Sequence, residues 1–135
     1  MIDKIFSPRS IAVVGASQDT EKIASVILRN VIEGGYNGKV YPINPKYEEI
    51  QGRQSFPDIL QVKDHIDMVC IAIPYQFVES IVDQCVQKKV QSVVIITAGF
   101  KETGDEGKVL EERISQKLKD YDAYMQRAGR TDQFI

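Results

Sequence analysis

Residues 10–17, Ser-Ile-Ala-Val-Val-Gly-Ala-Ser, decide the fold of this chain. The apolar, partly β-branched run in this stretch is too short for a buried helix and predicts a strand that is buried on both faces. Gly15, Ala16 and Ser17 follow, where the chain can turn tightly and a phosphate can approach the backbone closely. A helical pattern begins a few residues later. A strand, a small-residue turn and a helix in this order are typical of phosphate binding in α/β folds.

The same alternation of strands and helices continues along the chain. Apolar runs predict further strands over 39–43, 68–73 and 92–96, and helical patterns cover about 23–33, 75–89 and 105–119. The first helix is expected to bury a stripe made of Ile23, Val26, Ile27 and Val31, with Leu28 broadening the face. Gln54, Ser55 and Phe56 are a candidate for a short edge strand. Near-continuous apolar strands that alternate with helices predict an α/β fold, a doubly wound and mostly parallel sheet in a three-layer α/β/α arrangement.

The C-terminus departs from this alternation. A fifth strand should follow residue 121, but residues 122–135 contain no β-branched run. We therefore expect a domain over 1–121 and an atypical tail over 122–135, either helical or disordered, with the C-terminal strand missing or replaced. The fourth strand then has an open edge, which invites pairing with a second copy of the chain.

Composition limits the classes of function. The chain has 135 residues, which suits one domain on a prior of roughly 100–200 residues each. A net charge of −2 argues against a nucleic-acid or anionic-membrane partner. The sequence has no apolar run of transmembrane length and opens with no signal peptide. Cys70 and Cys85 fall on apolar patterns and indicate buried thiols, which favours a reducing, cytoplasmic setting.

The ligand site is expected where the carboxyl ends of the parallel strands meet. The first turn carries only Gly15 of the three glycines in a dinucleotide fingerprint, and the second strand ends in Asn44-Pro45-Lys46 instead of an acidic residue. Lys46 suits a phosphorylated ribose, as in coenzyme A (CoA) or NADP, although a solvated loop lysine is an equal alternative. Ser17 and Lys22 are candidates for phosphate contacts, and each is also compatible with an ordinary surface role. His65, the only histidine, has no acid–base partner in the sequence pattern and is expected to be structural or exposed.

Four motifs carry a resemblance to a known family. The chain resembles the N-terminal CoA-binding domain of NDP-forming acyl-CoA synthetases, the group of ADP-forming acetate–CoA ligases related to the succinyl-CoA synthetase α subunit. The similarity covers about residues 3–121 and rests on Ser-Ile-Ala-Val-Val-Gly-Ala-Ser at 10–17, Gly-Lys-Val-Tyr-Pro-Ile-Asn-Pro-Lys at 38–46, Ile-Ala-Ile-Pro at 71–74 and Ile-Thr-Ala-Gly-Phe-Lys-Glu-Thr-Gly at 96–104.

The resemblance implies a Rossmann-like fold that holds CoA along the strand edge. By position, the CoA phosphates would meet Gly15, Ala16 and Ser17, and the ribose phosphate and adenine side would meet Pro42, Asn44 and Lys46. The path toward the thiol would be lined by Ile73, Pro74, Thr97 and Ala98.

The resemblance also sets expectations for activity. The family's fifth strand and the domains with the phosphorylated histidine and the ATP-grasp machinery have no counterpart in this sequence, and His65 does not match the catalytic position. We expect a domain or fragment that binds CoA without catalysing alone, since the sequence shows no nucleophile–base pair, metal cluster or triphosphate loop. Its partners would be the remaining domains or subunits of an acyl-CoA synthetase. The alternatives are a stand-alone CoA-binding regulatory module and an NADP-binding oxidoreductase domain.

Overall fold

The computed structural model describes residues 8–96, 104–127 and 133–134. Within these ranges the three helices are α1 (Ile23–Glu33), α2 (Val78–Lys88) and α3 (Asp105–Arg127). The strands are β1 (Ser10–Val14), β2 (Lys39–Ile43), β3 (Glu49–Ile50), β4 (Arg53–Gln54), β5 (Met68–Ile71), β6 (Ser92–Ile95) and β7 (Gln133–Phe134). Single 3-10 turns lie at Ile59–Gln61 and Tyr75–Phe77.

The main sheet is parallel throughout and follows the order β2-β1-β5-β6-β7. The carboxyl ends of β2, β1 and β5 lie level, because Val14 at the end of β1 stands opposite both Ile43 of β2 and Ile71 of β5. The predicted doubly wound, parallel α/β fold is confirmed. The loops that follow these strands therefore meet at one edge of the sheet, as the sequence pattern predicts.

Helices cover both faces of the sheet. On one face, α1 packs with Leu28 over the β1 residues Ile11 and Val13. On the other face, α2 and α3 cover a larger cluster that includes Val69 of β5 and Leu118 of α3. Every residue of β1 is buried, because successive side chains point to opposite faces and both faces are covered. This arrangement is the predicted three-layer architecture.

The buried face of α1 includes Leu28, as predicted, but otherwise differs from the predicted stripe. Ile23 is 61% exposed, and the buried residues of α1 are Ala24, Ser25 and Leu28. The helix therefore turns the face that carries Ala24 and Ser25 toward the sheet, while Ile27 and other apolar residues are partly buried at the rim of the cluster. Hydrophobicity alone misleads here, because small residues allow the helix to lie close to the sheet.

The C-terminal region differs from the sequence prediction in the length of its helix and in the presence of a strand. The predicted helix over 105–119 extends to Arg127, since Tyr121 and Met125 are both buried and continue the apolar spacing of Ile114 and Leu118. The predicted helical continuation beyond 121 is thus present. A strand also follows: over the residues that the structure describes, β7 pairs with β6 at Ser92 and Val93. A two-residue pairing needs no β-branched run, which explains why the sequence pattern does not show it.

A small hairpin takes the place of the candidate edge strand over 54–56. β3 and β4 pair antiparallel around Gln51 and Gly52, which both have positive φ, and Phe56 makes a single parallel bridge with Ile43. Ile50 of the hairpin is buried in the cluster under α1. The hairpin is therefore fixed beside the loop that follows β1.

Candidate functional site

Gly15 ends β1 at a position that only glycine fits. Its φ is +104°, and a Cβ atom placed there would lie 2.4 Å from the carbonyl oxygen of Ala72 and 2.9 Å from Cγ2 of Ile73. Its N–H donates to the carbonyl oxygen of Ile43 at 3.1 Å. The chain that follows β5 therefore approaches Gly15 closely, and Gly15 contacts the ends of β2 and β5 as well as ending β1. The approach of a phosphate to this glycine stays a prediction.

The two residues after Gly15 are anchored to other elements. The Asn44 side chain donates from Nδ2 to the Ala16 carbonyl oxygen at 2.9 Å. The Ser17 N–H donates to Ser25 Oγ at 3.1 Å, and the Ser25 hydroxyl donates to the Ser17 carbonyl oxygen at 3.0 Å. Ala16 and Ser17 are 0% and 4% exposed. Both predicted phosphate ligands therefore lie behind the surface, and the loop owes its shape to these bonds.

The start of α1 presents N–H groups at the same edge. The first intrahelical bond runs from the Val26 N–H to the Lys22 carbonyl oxygen at 3.0 Å, so the N–H groups of residues 23–25 precede the helical ladder. Lys22 occupies the cap position and makes no side-chain cap bond. Such a helix start attracts anions through its N–H groups and its dipole.

The end of β2 supplies a second positive group. Asn44 Oδ1 accepts the N–H of Lys46 at 2.9 Å, so one amide side chain links Lys46 to the loop after β1. Lys46 is exposed, whereas Pro42 is buried inside β2 opposite Val13. The structure therefore brings Asn44 and Lys46 to the surface of the edge and leaves Pro42 in the sheet.

Acidic residues flank both lysines. Lys22 follows Glu21 directly, and the carboxylate of Asp19 accepts the Glu21 N–H at 3.1 Å in the same loop. Glu48 and Glu49 follow Lys46 closely in sequence. Among the described residues, neither Lys22 nor Lys46 is part of an ion pair. Both lysines are therefore candidates for a phosphate contact.

The end of β5 forms the apolar part of the edge. Ile73 is half-buried against the core and Pro74 is exposed at the start of the 3-10 turn that leads into α2. A recess beside this turn opens between the starts of α2 and α3, lined by Tyr75, Gln76, Glu79, Val109, Leu110 and Arg113. Thr97 and Ala98 lie outside the described residues.

Sequence reasoning misses two residues that shape the site. Ser25 is fully buried and holds Ser17, and Gln51 donates from Nε2 to the Ser25 carbonyl oxygen at 2.9 Å. A polar residue on an apolar helix face is a signal that points to Ser25. The sequence offers no such signal for Gln51, because its contact depends on how the β3–β4 hairpin folds back.

The residues that most often carry catalysis lie elsewhere. His65 pairs with Asp67 at 3.2 Å, at the amino end of the sheet and opposite the candidate site. Burial raises the pKa of the Cys70 thiol and raises that of Cys85 to about 12, so both thiols are neutral. Over residues 8–96 and 104–127, no cluster of histidine, cysteine and carboxylate side chains is suited to hold a metal ion.

In the part of the chain that the structure describes, every helix is too short or too polar to span a membrane.

The fold is that of the nucleotide-binding α/β domains, with a glycine turn after β1 and a lysine after β2 at the carboxyl edge of the sheet. A family model described as a CoA binding domain matches residues 9–127, and the chain belongs to this family. The predicted resemblance is thereby confirmed.

The relatives extend well beyond the matched region. The α subunit of acetate–CoA ligase [ADP-forming] I from Pyrococcus furiosus is 40% identical over 124 residues, which cover 89% of this chain and 27% of the subunit. A solved acetyl-coenzyme A synthetase 1 of Ca. Korarchaeum cryptofilum, in complex with phosphate and ADP, is 42% identical with a TM-score of 0.80, and the match covers 90% of this chain and 26% of that chain. This chain thus spans about a quarter of the length of these relatives.

A smaller protein also matches. The structure of a hypothetical protein from Pyrococcus horikoshii OT3 has a TM-score of 0.62 and 30% sequence identity. That match covers 78% of this chain and 76% of the other chain.

Proposed function

We propose that this chain binds CoA at the carboxyl edge of its sheet and forms the CoA-binding part of an ADP-forming acyl-CoA synthetase. The full enzyme converts an acid, CoA and ATP into acyl-CoA, ADP and phosphate. The observation that carries the proposal is Lys46, an exposed cation held by Asn44 where NAD-dependent enzymes place a carboxylate. The family match over residues 9–127 supports it independently.

The proposed contacts follow the order of groups along CoA. Lys46 contacts the 3′-phosphate of the ribose, and the start of α1 with Lys22 faces the pyrophosphate. Asn44 and Gly15 shape the edge between these two positions through the hydrogen bonds described above. The pantetheine arm then runs past Ile73 and Pro74, with Thr97 and Ala98 as the proposed continuation toward the thiol.

In this proposal the chain holds CoA and does not catalyse alone. His65 lies at the amino end of the sheet and both cysteines are buried neutral thiols. The proposed partners are the remaining domains or subunits of the synthetase, which would supply the reacting groups. The two buried free thiols also support a cytoplasmic setting for the chain.

Calorimetric titration of the chain with CoA, dephospho-CoA and NADP tests the proposal. We expect CoA to bind about tenfold more tightly than dephospho-CoA, since a hydrogen-bonded charge pair contributes about 1.5 kcal/mol. Lys46→Ala should remove this difference while leaving dephospho-CoA binding unchanged. Lys22→Ala is the matched control and should weaken both ligands equally. Binding of NADP without CoA would favour an oxidoreductase domain and refute the proposal.

A stand-alone CoA-binding module with a regulatory role is the second candidate. The hypothetical Pyrococcus horikoshii OT3 protein favours it, because most of that protein is covered by the match to this single domain. An immunoblot of the source cells with an antibody against this chain separates the two candidates. A band at the mass of 135 residues supports the module, and a band several times larger supports the synthetase fragment.

The open part of the sheet edge supports a further proposal, pairing of two copies of the chain. Among the described residues, β7 pairs with β6 at Ser92 and Val93, and Ile96 just beyond β6 is 40% exposed. An apolar strand with a partly unpaired edge favours association. We expect dimers in light scattering at high protein concentration and a shift toward monomers in Ile96→Lys. A monomer at all concentrations in the unmodified chain would refute this proposal.

A further inference from the structure

We infer that Ser25 is a positioning residue for the phosphate-binding loop and that Ser17 serves this loop through its backbone, not through a hydroxyl contact to the ligand. The inference rests on the proposed CoA site. It gives Ser25, a polar residue inside α1 that no sequence motif marks, the role of holding the ligand-binding loop in shape.

The hydrogen bonds between the two serines hold the loop at two points. The Ser25 hydroxyl accepts the Ser17 N–H at 3.1 Å and donates to the Ser17 carbonyl oxygen at 3.0 Å. A hydroxyl has one proton to donate and lone pairs to accept, so this reciprocal pair uses both of its capacities. Ser25 is 0% and Ser17 4% exposed, so water does not compete for these bonds.

The Ser17 hydroxyl is already engaged within the loop. Its Oγ accepts the N–H of Asp19 at 3.1 Å, and the residue is almost entirely buried. A phosphate at the surface therefore meets the N–H groups at the start of α1 before it can reach this hydroxyl.

Ser25 lies in the first turn of α1 and is itself held from the other side. The Gln51 amide donates to the Ser25 carbonyl oxygen at 2.9 Å, while the Gln18 amide donates to the Glu49 carbonyl oxygen at 3.4 Å. The loop and the helix start are thus fixed relative to each other and to the β3–β4 hairpin. Fixing these groups before the ligand arrives lowers the ordering cost of binding, so loss of the Ser25 hydroxyl should reduce affinity without removing any ligand contact.

Titration calorimetry on three single variants of the full chain tests the inference. Ser25→Ala should raise the Kd for CoA and for dephospho-CoA by the same factor, about tenfold, since two buried hydrogen bonds are lost. Ser17→Ala keeps both backbone bonds to Ser25 and loses only the bond from the Asp19 N–H, so it should raise either Kd less than Ser25→Ala does. Ser80→Ala removes an exposed hydroxyl at the same position in α2, where it donates to the Phe77 carbonyl oxygen at 3.1 Å, and should change neither Kd.

The outcomes separate the inference from its alternatives. Irreversibly misfolded protein would lower the stoichiometry and leave the Kd unchanged, whereas a variant that is partly unfolded at equilibrium would raise the apparent Kd by the reciprocal of its folded fraction. Thermal melting must therefore show that the Ser25 variant is fully folded at the titration temperature. If Ser25→Ala fails to fold in thermal melting, Ser25→Cys keeps the size with a weaker donor and should give an intermediate rise in Kd for both ligands. Unchanged affinity in the folded Ser25 variant, or a larger loss in Ser17→Ala, overturns the inference. Failure of the unmodified chain to bind CoA overturns the proposed function itself.

Discussion

Replacement of Gly15 by alanine tests the junction on which the candidate site is built. Positive φ disfavours a side chain by about 1–2 kcal/mol. The new Cβ would also lie 2.4 Å from the Ala72 carbonyl oxygen, a backbone atom that cannot rotate away. Relieving an overlap of this kind costs about 1–3 kcal/mol. We therefore expect Gly15→Ala to lower the free energy of unfolding by about 2–5 kcal/mol, a large part of the total for a domain of this size.

Urea denaturation followed by circular dichroism measures this loss, and Gly35→Ala is the matched control. Gly35 also has positive φ, at +84°, but no atom lies within 4 Å of its added Cβ. The control should therefore cost only about 1–2 kcal/mol. The difference between the two losses in free energy of unfolding measures the cost of the overlap with the chain after β5. Equal losses in the two variants would show that this approach does not constrain the loop and would refute the reasoning.

Three further predictions concern the site and the helices beside it. Asn44→Ala should lower the free energy of unfolding by about 1–2 kcal/mol in urea denaturation, because it removes the links from β2 to the loop after β1, and no loss would contradict the geometry. The hydrogen bonds that Arg113 donates lower the pKa of Glu79 to about 2, so this carboxylate stabilises the fold above its unfolded pKa of about 4.3 and the effect is lost as the pH falls toward 2. Urea midpoints measured from pH 6 to 2.5 should fall less steeply in Glu79→Gln, and parallel curves would refute this. Burial, together with the hydrogen bond to Asp64, raises the pKa of Tyr41 to about 12. The contribution of this hydroxyl to stability is therefore complete below pH 10 and is lost as the pH rises toward 12. Spectrophotometric titration should show one tyrosine that ionises late, and this late transition should be absent in Tyr41→Phe.

The sequence is sufficient to predict the layers of the fold and the edge that carries the site. Both follow from local sequence patterns. Buried strands such as β1 have continuous apolar runs, and parallel strands place their carboxyl ends together. Gly15 is also marked by the sequence, as the glycine that ends an apolar strand. The structure adds a second reason for this glycine, since it makes room for the chain after β5, while its contact with a phosphate stays a prediction.

The parts that sequence patterns do not show depend on contacts between distant segments. The buried face of α1 includes Ser25 because a hydroxyl is needed opposite Ser17, and hydropathy scores that position as unfavourable. β7 is two residues long and pairs with β6, a segment about forty residues earlier in the chain. In the same way, burial of Ala16 and Ser17 follows from the packing of the loop against its neighbours, so a motif that marks them cannot tell a ligand contact from a structural one.

The loop after β1 links the stability of the domain to ligand binding. Four consecutive residues, Gly15 to Gln18, are each held by a different partner from another element: the end of β2, Asn44, Ser25 and the β3–β4 hairpin. A substitution at any of these partners changes both the free energy of unfolding and the order of the loop. Affinity and stability must therefore be measured on the same variants. A variant that loses affinity while keeping its stability identifies a ligand contact, as expected for Lys46, whereas parallel losses identify a partner that only holds the loop.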